Sequence, residues 1–193
     1  SGVETLRELA FNLISNPAGL VNYNKLKEQY RLGSVNTIRS YVANMENSWL
    51  LFTSRLYDYS LKRQQIAPKK MYSIDTGMVN AVGFSFSPNR GKLMENLVFL
   101  SLRRTNNEIY YYLTPSGYEV DFFLPKQQQL IQVTQHLSNP VTRERELRAL
   151  EDAANALNVR NLLILSDEGE DDFIRAGLSI QVRSIATWLL EQA

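Results

Sequence analysis

Cysteine is absent from the 193 residues, and histidine occurs once, at position 136. The first absence excludes a disulfide framework and thiolate metal sites. The second removes zinc chemistry, which draws on several Cys or His ligands. Long apolar runs are missing too: Ile109 to Leu113 and Leu162 to Leu165 fall far short of the roughly 18–20 residues that a bilayer crossing requires. The start of the chain has neither a basic segment nor an apolar one after it, so no secretory leader is expected and a cytoplasmic, non-membrane protein is. An excess of either charge is also lacking, with 21 basic and 20 acidic residues. What is present, 44% hydrophobic and 21% charged side chains, suits one large folded domain or two small ones.

The near-neutral total hides an asymmetry. Residues 1–70 hold ten Lys and Arg against five acids, and the remaining 123 residues hold 11 against 15. Two modules with different partners are therefore expected, 1–70 and 71–193. The basic one points first to nucleic acid. Leu6, Leu9, Ala10, Leu13 and Ile14 fall at helical spacing before the breakers Asn16 to Gly19. A short helix fits Tyr23 to Tyr30 behind Asn22 as cap. In a third helix Val35, Ile38, Tyr41, Val42 and Met45 share one face, with Asn36, Arg39, Ser40 and Asn44 on the other. This order predicts a winged helix-turn-helix: strand Trp49 to Asp58, a polar tip Lys62-Arg63-Gln64-Gln65, and a return strand Lys70 to Ile74. Asn36, Arg39, Ser40 and Asn44 have the chemistry to reach bases or phosphates. Lys62, Arg63, Lys69 and Lys70 suit phosphate contact, since Lys and Arg neutralise backbone charge without reading sequence.

From Gly91 onward the pattern predicts helix Lys92 to Arg104, three strands (Glu108 to Leu113, Glu119 to Leu124, Leu130 to Thr134), helix Thr142 to Leu157 and strand Asn161 to Leu165, in the order αβββαβ. A strand Ser179 to Arg183 and a terminal helix Ile185 to Glu191 extend it into one α/β (α+β) sheet domain. Glu95 projects from a largely apolar helix face and needs a partner. Asp121 shares a strand face with Glu119 and Phe123, and Gln132 and Thr134 lie on one side of the next strand.

An acid on the first helix, an aspartate on the second strand and a polar-x-polar pair on the third resemble the PD-(D/E)xK restriction-endonuclease-like fold. More closely, residues 70–77 (KMYSIDTG), 93–99 (LMENLVF), 119–122 (EVDF) and 145–150 (RELRAL) resemble the C-terminal region of prokaryotic AAA-type ATPases across nearly the whole chain. In an active nuclease of that fold the acids hold Mg²⁺ and a lysine two residues after the last helps activate water. Glu95 and Asp121 match the first two positions and would be the ligands of any metal. Gln132 stands where the third acid belongs and Thr134 where the lysine belongs, so the resemblance implies a degraded site. Glu119 supplies a further carboxylate if its strand bulges. The ATPase resemblance implies a C-terminal fragment whose ATP- and Mg²⁺-binding module lies upstream, because the only Gly-Lys pair, Gly91-Lys92, is followed by Leu rather than the Ser or Thr of a phosphate-cradling loop. No cofactor is expected on these residues themselves.

The leading reading is thus a noncatalytic region that recognises DNA or a protein. The alternatives are a live Mg²⁺-dependent nuclease using Glu95, Asp121 and Glu119 with Gln132, and a purely protein-binding module. His136 and the acidic run Asp167 to Asp172 read as loop residues. Arg143, Arg145 and Arg148, alternating with Glu144 and Glu146, read as a solvated face. Tyr110 to Tyr112 could stack on bases but fit strand burial more simply.

Overall fold

The computed structural model describes residues 2–82 and 90–192. Helix α1 (Gly2–Ser15) ends at the expected breakers, but Gly19–Val21 then forms a short strand, β1, that the sequence pattern does not signal. Asn22 accepts the N–H groups of Asn24 and Lys25 to open α2 (Tyr23–Gln29), and Ser34 accepts that of Asn36 to open α3 (Val35–Asn47). The apolar stripes of these helices meet: Leu9, Leu13, Leu26, Ile38, Val42 and Met45 close one core with Leu51 and Met71. Strands β2 (Leu51–Leu56) and β3 (Lys69–Ser73) follow. Between them, residues 62–65 are not the tip of a hairpin. They lie in a helix, α4 (Leu61–Ile66), because Ser60 caps Arg63 and Gln64 reaches back to the Asp58 carbonyl. Asp75 accepts the Gly77 N–H and starts α5 (Thr76–Val82).

The remainder runs α6 (Arg90–Thr105), β4 (Tyr110–Leu113), β5 (Glu119–Leu124), β6 (Gln129–Thr134), α7 (Pro140–Leu157), β7 (Asn161–Ser166), β8 (Asp171–Arg175), β9 (Leu178–Ser184) and α8 (Ile185–Glu191). The expected αβββαβ order is present. The end of the acidic run is strand rather than loop, because Ala176 and Gly177, both at positive φ, turn β8 back onto β9. All nine strands form one mixed sheet in the order β1-β3-β2-β4-β5-β6-β7-β9-β8. The N-terminal strands join it through a parallel β2–β4 pairing only two residues long, Arg55 with Tyr110 and Leu56 with Tyr111. Alternating strand residues feed two further cores. Val120, Leu130, Leu162, Ile164 and Ile180 pack against α7, whereas Phe122, Leu124, Ile131, Leu163 and Leu165 pack against α6 and α8.

Tyr110 pairs with Phe123 but Tyr112 pairs with Val120, so Asp121 and Phe122 together stand opposite Tyr111. This bulge breaks strict alternation. Phe123 therefore joins Val120 in the α7 core instead of sharing a face with Asp121, and the carboxylate of Asp121 is released toward α6.

Candidate functional site

The β5–β6 ladder stops at the Phe122–Ile131 pair, and from there side chains replace it. Gln132 Oε1 accepts the Asp121 N–H at 3.1 Å, and Asp121 Oδ2 accepts the Val133 N–H at 2.9 Å. The Gln132 amide donates to Glu146 Oε2 at 2.6 Å, and Arg145 holds the other oxygen of that carboxylate. Glu146 is thus buried on α7 and not part of a solvated face; burial raises its pKa against the pull of Arg145 and Gln132. These groups line a cleft of about 490 Å³ that also exposes part of Glu119.

Behind the carboxylates that line the cleft lies Lys70, placed there by β3. Its side chain is 1% exposed and its Nζ donates to Glu95 Oε1 at 2.8 Å and Asp121 Oδ1 at 2.9 Å, with Glu119 Oε1 at 2.7 Å. Tyr72, two residues on and so on the same strand face, donates to the same Glu95 oxygen at 2.8 Å while its ring stacks on Phe99 at 3.9 Å. Burial pushes the Lys70 pKa down, but Asp121, Glu95 and Glu119 outweigh it, so the ammonium is held well above the ordinary lysine range. Burial, then the Asp121 charge, pushes Glu95 up to about 8, with Lys70 pulling the other way. The cluster therefore holds one firm cation among three acids, one of which keeps its proton easily.

The structure brings Glu95, Glu119 and Asp121 together as the acid pattern implies, and adds Lys70 and Tyr72, which that pattern missed. Lys70 faces inward, so it is unavailable to DNA phosphate: on a strand, Lys69 and Lys70 point to opposite sides. Gln132 is engaged with Asp121 and Glu146, so its carbonyl is not turned to a cation. Thr134 is buried, paired in register with Ser166. The residues do not fit a divalent metal as they stand. An ammonium lies between the carboxylates, and the 2.7–2.9 Å spacing is that of N–H···O bonds, whereas Mg²⁺ requires about 2.0–2.1 Å. Among the described residues no group of three or more His, Asp or Glu could hold a metal ion as it stands.

The second candidate region is α3. Asn36, Arg39, Ser40 and Asn44 are all exposed along its outer face, as the helical spacing predicts. Asn22, Asn24, Asn36 and Arg39 line a small cleft of about 190 Å³ beside it. Lys69 lies half-buried nearby and donates to the Gln64 carbonyl at 3.4 Å. Its pKa is lowered by burial first and then by Arg55, offset in part by Glu46, with Arg39 adding to the fall. Lys62 and Arg63 are exposed on α4, where Arg63 pairs with Asp58 at 3.0 Å. His136 is exposed and near Glu168, at 3.4 Å.

Residues 2–89 match the family model described as a domain of unknown function (DUF8612), and residues 90–185 match a second described as a domain of unknown function (DUF4143). The chain is 36% identical over 176 residues to the uncharacterized protein MJ1544 of Methanocaldococcus jannaschii; that match takes in 86% of this chain and 39% of the relative. The chain thus spans well under half the length of the curated relative it matches. No solved structure gives a significant match. Among the described residues no helix is long and apolar enough to cross a membrane.

Proposed function

We propose that the chain is a noncatalytic recognition region of a larger AAA-type ATPase, binding duplex DNA through its N-terminal half and carrying a nuclease-like C-terminal half that does not cut. The observation that carries the DNA reading is the outer face of α3: four exposed polar side chains, Asn36, Arg39, Ser40 and Asn44, beside a cluster of cations, Arg39, Arg55 and Lys69, whose mutual repulsion an anion relieves. The helix order α1, α2, α3 followed by the antiparallel β2–β3 pair supports a winged-helix reading of this half, with α4 in place of a wing tip. The helix–strand order and the positions of Glu95 and Asp121 support the nuclease-like reading of the other. Lys70 among the acids is the reason for assigning no cleavage. In this reading ATP and Mg²⁺ belong to an upstream module of the same cytoplasmic protein.

Fluorescence anisotropy with a labelled duplex, repeated across salt concentrations, tests the proposal. Binding is expected to weaken linearly in log salt, and each of Arg39→Ala, Arg55→Ala and Lys69→Ala is expected to reduce the slope by about one. No binding at the lowest salt overturns it. Incubation with plasmid and Mg²⁺ or Mn²⁺ tests the absence of cleavage. A protein partner is the second reading, favoured by Trp49, 64% exposed at a cleft it shares with Phe52, Leu100 and Arg103, the last lying over the Phe52 ring at 3.9 Å. Aromatic and arginine side chains of this kind anchor protein interfaces.

A further inference from the structure

We propose that Lys70 is the resident cation of a three-carboxylate site and that its ammonium shuts that site to divalent metal, so that deleting this one side chain creates a metal-binding protein. An ammonium has three N–H donors and no acceptor. Lys70 meets three separate carboxylates at 2.7–2.9 Å, donating to Glu95 and Asp121 and forming an ion pair with Glu119. With 1% of the side chain exposed, the ammonium is shut off from solvent. The arrangement is that of a coordinated ion whose counter-charge is tethered to the chain. Glu95 and Asp121, both buried, and the partly exposed Glu119 share this one cation, because an unpaired charge taken out of water is strongly disfavoured. The tether decides which cation wins. A covalently held ammonium is always at its site, and a free divalent ion must first displace it and then bury it nowhere.

The elements involved are separate in sequence: the cation comes from β3 and the acids from α6 and β5, on opposite sides of the short β2–β4 junction. The acid positions alone would read as a weakened metal site. The lysine between them makes the site occupied. The oxygen spacing also selects the probe for a lysine-free protein. Ca²⁺ takes oxygens at about 2.3–2.6 Å in adaptable geometry, so the acids need to close by only a few tenths of an ångström, less than Mg²⁺ would demand.

The inference rests on the reading that the C-terminal half does not cleave, and the two fail differently. Metal-dependent plasmid cleavage by the intact protein, lost in Asp121→Asn, defeats that reading. A lysine-free protein that ignores Ca²⁺ defeats only this inference. The experiment is a thermal-denaturation titration with CaCl₂ on the full chain. The natural protein is expected to keep its Tm unchanged to 10 mM. Lys70→Met is expected to gain a saturable rise, roughly 5–10 °C at 10 mM if Kd is about 0.1 mM, and Lys70→Met/Asp121→Asn is expected to lose it. If Lys70→Met folds only on addition of Ca²⁺, read by circular dichroism, the same conclusion holds. If it folds in neither condition, Lys70→Met/Glu119→Gln, with one fewer uncompensated acid, goes through the same titration. A third measurement needs no variant: in the natural protein the Lys70 ¹⁵Nζ resonance is expected to show slowly exchanging protons and not to move with Ca²⁺. A saturable Ca²⁺ shift in the natural protein, a folded lysine-free variant without one, or a Lys70 ammonium exchanging as fast as surface lysines overturns the proposal.

Discussion

Lys69 and Lys70 are adjacent on β3 and meet opposite environments. Lys70 points inward behind the cleft, where three carboxylates hold its charge in place. Lys69 points toward α3 and α4, where burial and the neighbouring Arg55 and Arg39 disfavour its charge. One cation is consumed by the fold, and the other sits among cations that Glu46 offsets only in part. The pair shows that a basic dipeptide in a strand is two separate features: the surplus of positive charge in residues 1–70 overstates by one what can reach a partner.

The largest expected effect breaks the inward half of the comparison. Lys70→Met leaves close-packed acids uncompensated, which typically costs about 3–5 kcal/mol for a buried pair, so Tm is expected to fall by roughly 10 °C or more in calorimetry at pH 7.5 without divalent ions. Lys69→Ala is the matched control. It is expected to leave Tm nearly unchanged while weakening duplex binding, read as a salt slope smaller by about one. If both substitutions act alike on stability, the contrast between the two faces of β3 fails.

The third prediction concerns pH. Glu95 binds its proton more tightly in the folded protein, at about 8, than its ordinary value of 4.5. Its contribution to stability is therefore complete below about pH 4.5 and is lost as the pH climbs through 8, and Glu146, also raised by burial, acts in the same direction. Tm is expected to fall from pH 5 to pH 8.5, and Glu95→Gln, which mimics the protonated form, is expected to flatten that fall. Tyr72→Phe removes a single bond to Glu95 and is expected to cost about 1.5–3 kcal/mol by urea denaturation. Smallest is Arg175→Ala. It breaks a partly exposed network with Glu144 and Glu151, and Tm is expected to move by no more than about 2 °C.

Much of this was legible in the residues. Asn22 as a cap, the two faces of α3, the αβββαβ order and the acids at 95, 119 and 121 all follow from local spacing, and local spacing survives folding. The rest depended on distance. Nothing near Lys70 announces partners 25 and 51 residues away, although its alternation with Tyr72, next to the apolar Met71, was a signal that the side chain lies in a packed strand. Glu146 sits beside the Leu147, Leu150 and Ala154 stripe, yet its flanking arginines suggested solvent. β1 and β8 are short edge strands fixed by neighbours, and α4 replaced a hairpin tip because one serine and one glutamine satisfied its first turn. The bulge at Asp121 and Phe122 changed which of β5's side chains share a face, and only pairing with Tyr111 reveals it.

The junction between the halves is two residue pairs long, Arg55 with Tyr110 and Leu56 with Tyr111, extended by one bond from the Tyr57 N–H to the Tyr111 carbonyl. With so short a ladder, side chains do most of the joining, among them Tyr72 against Phe99 and Ser73 bonded twice to Asn96. Lys70 spans the same boundary, with its tether on one side and its acids on the other. Under a pulling force the boundary would therefore yield by parting side chains, namely the Lys70 cluster, the Ser73–Asn96 pair and the stacked Tyr72 and Phe99 rings, more than by unzipping a ladder.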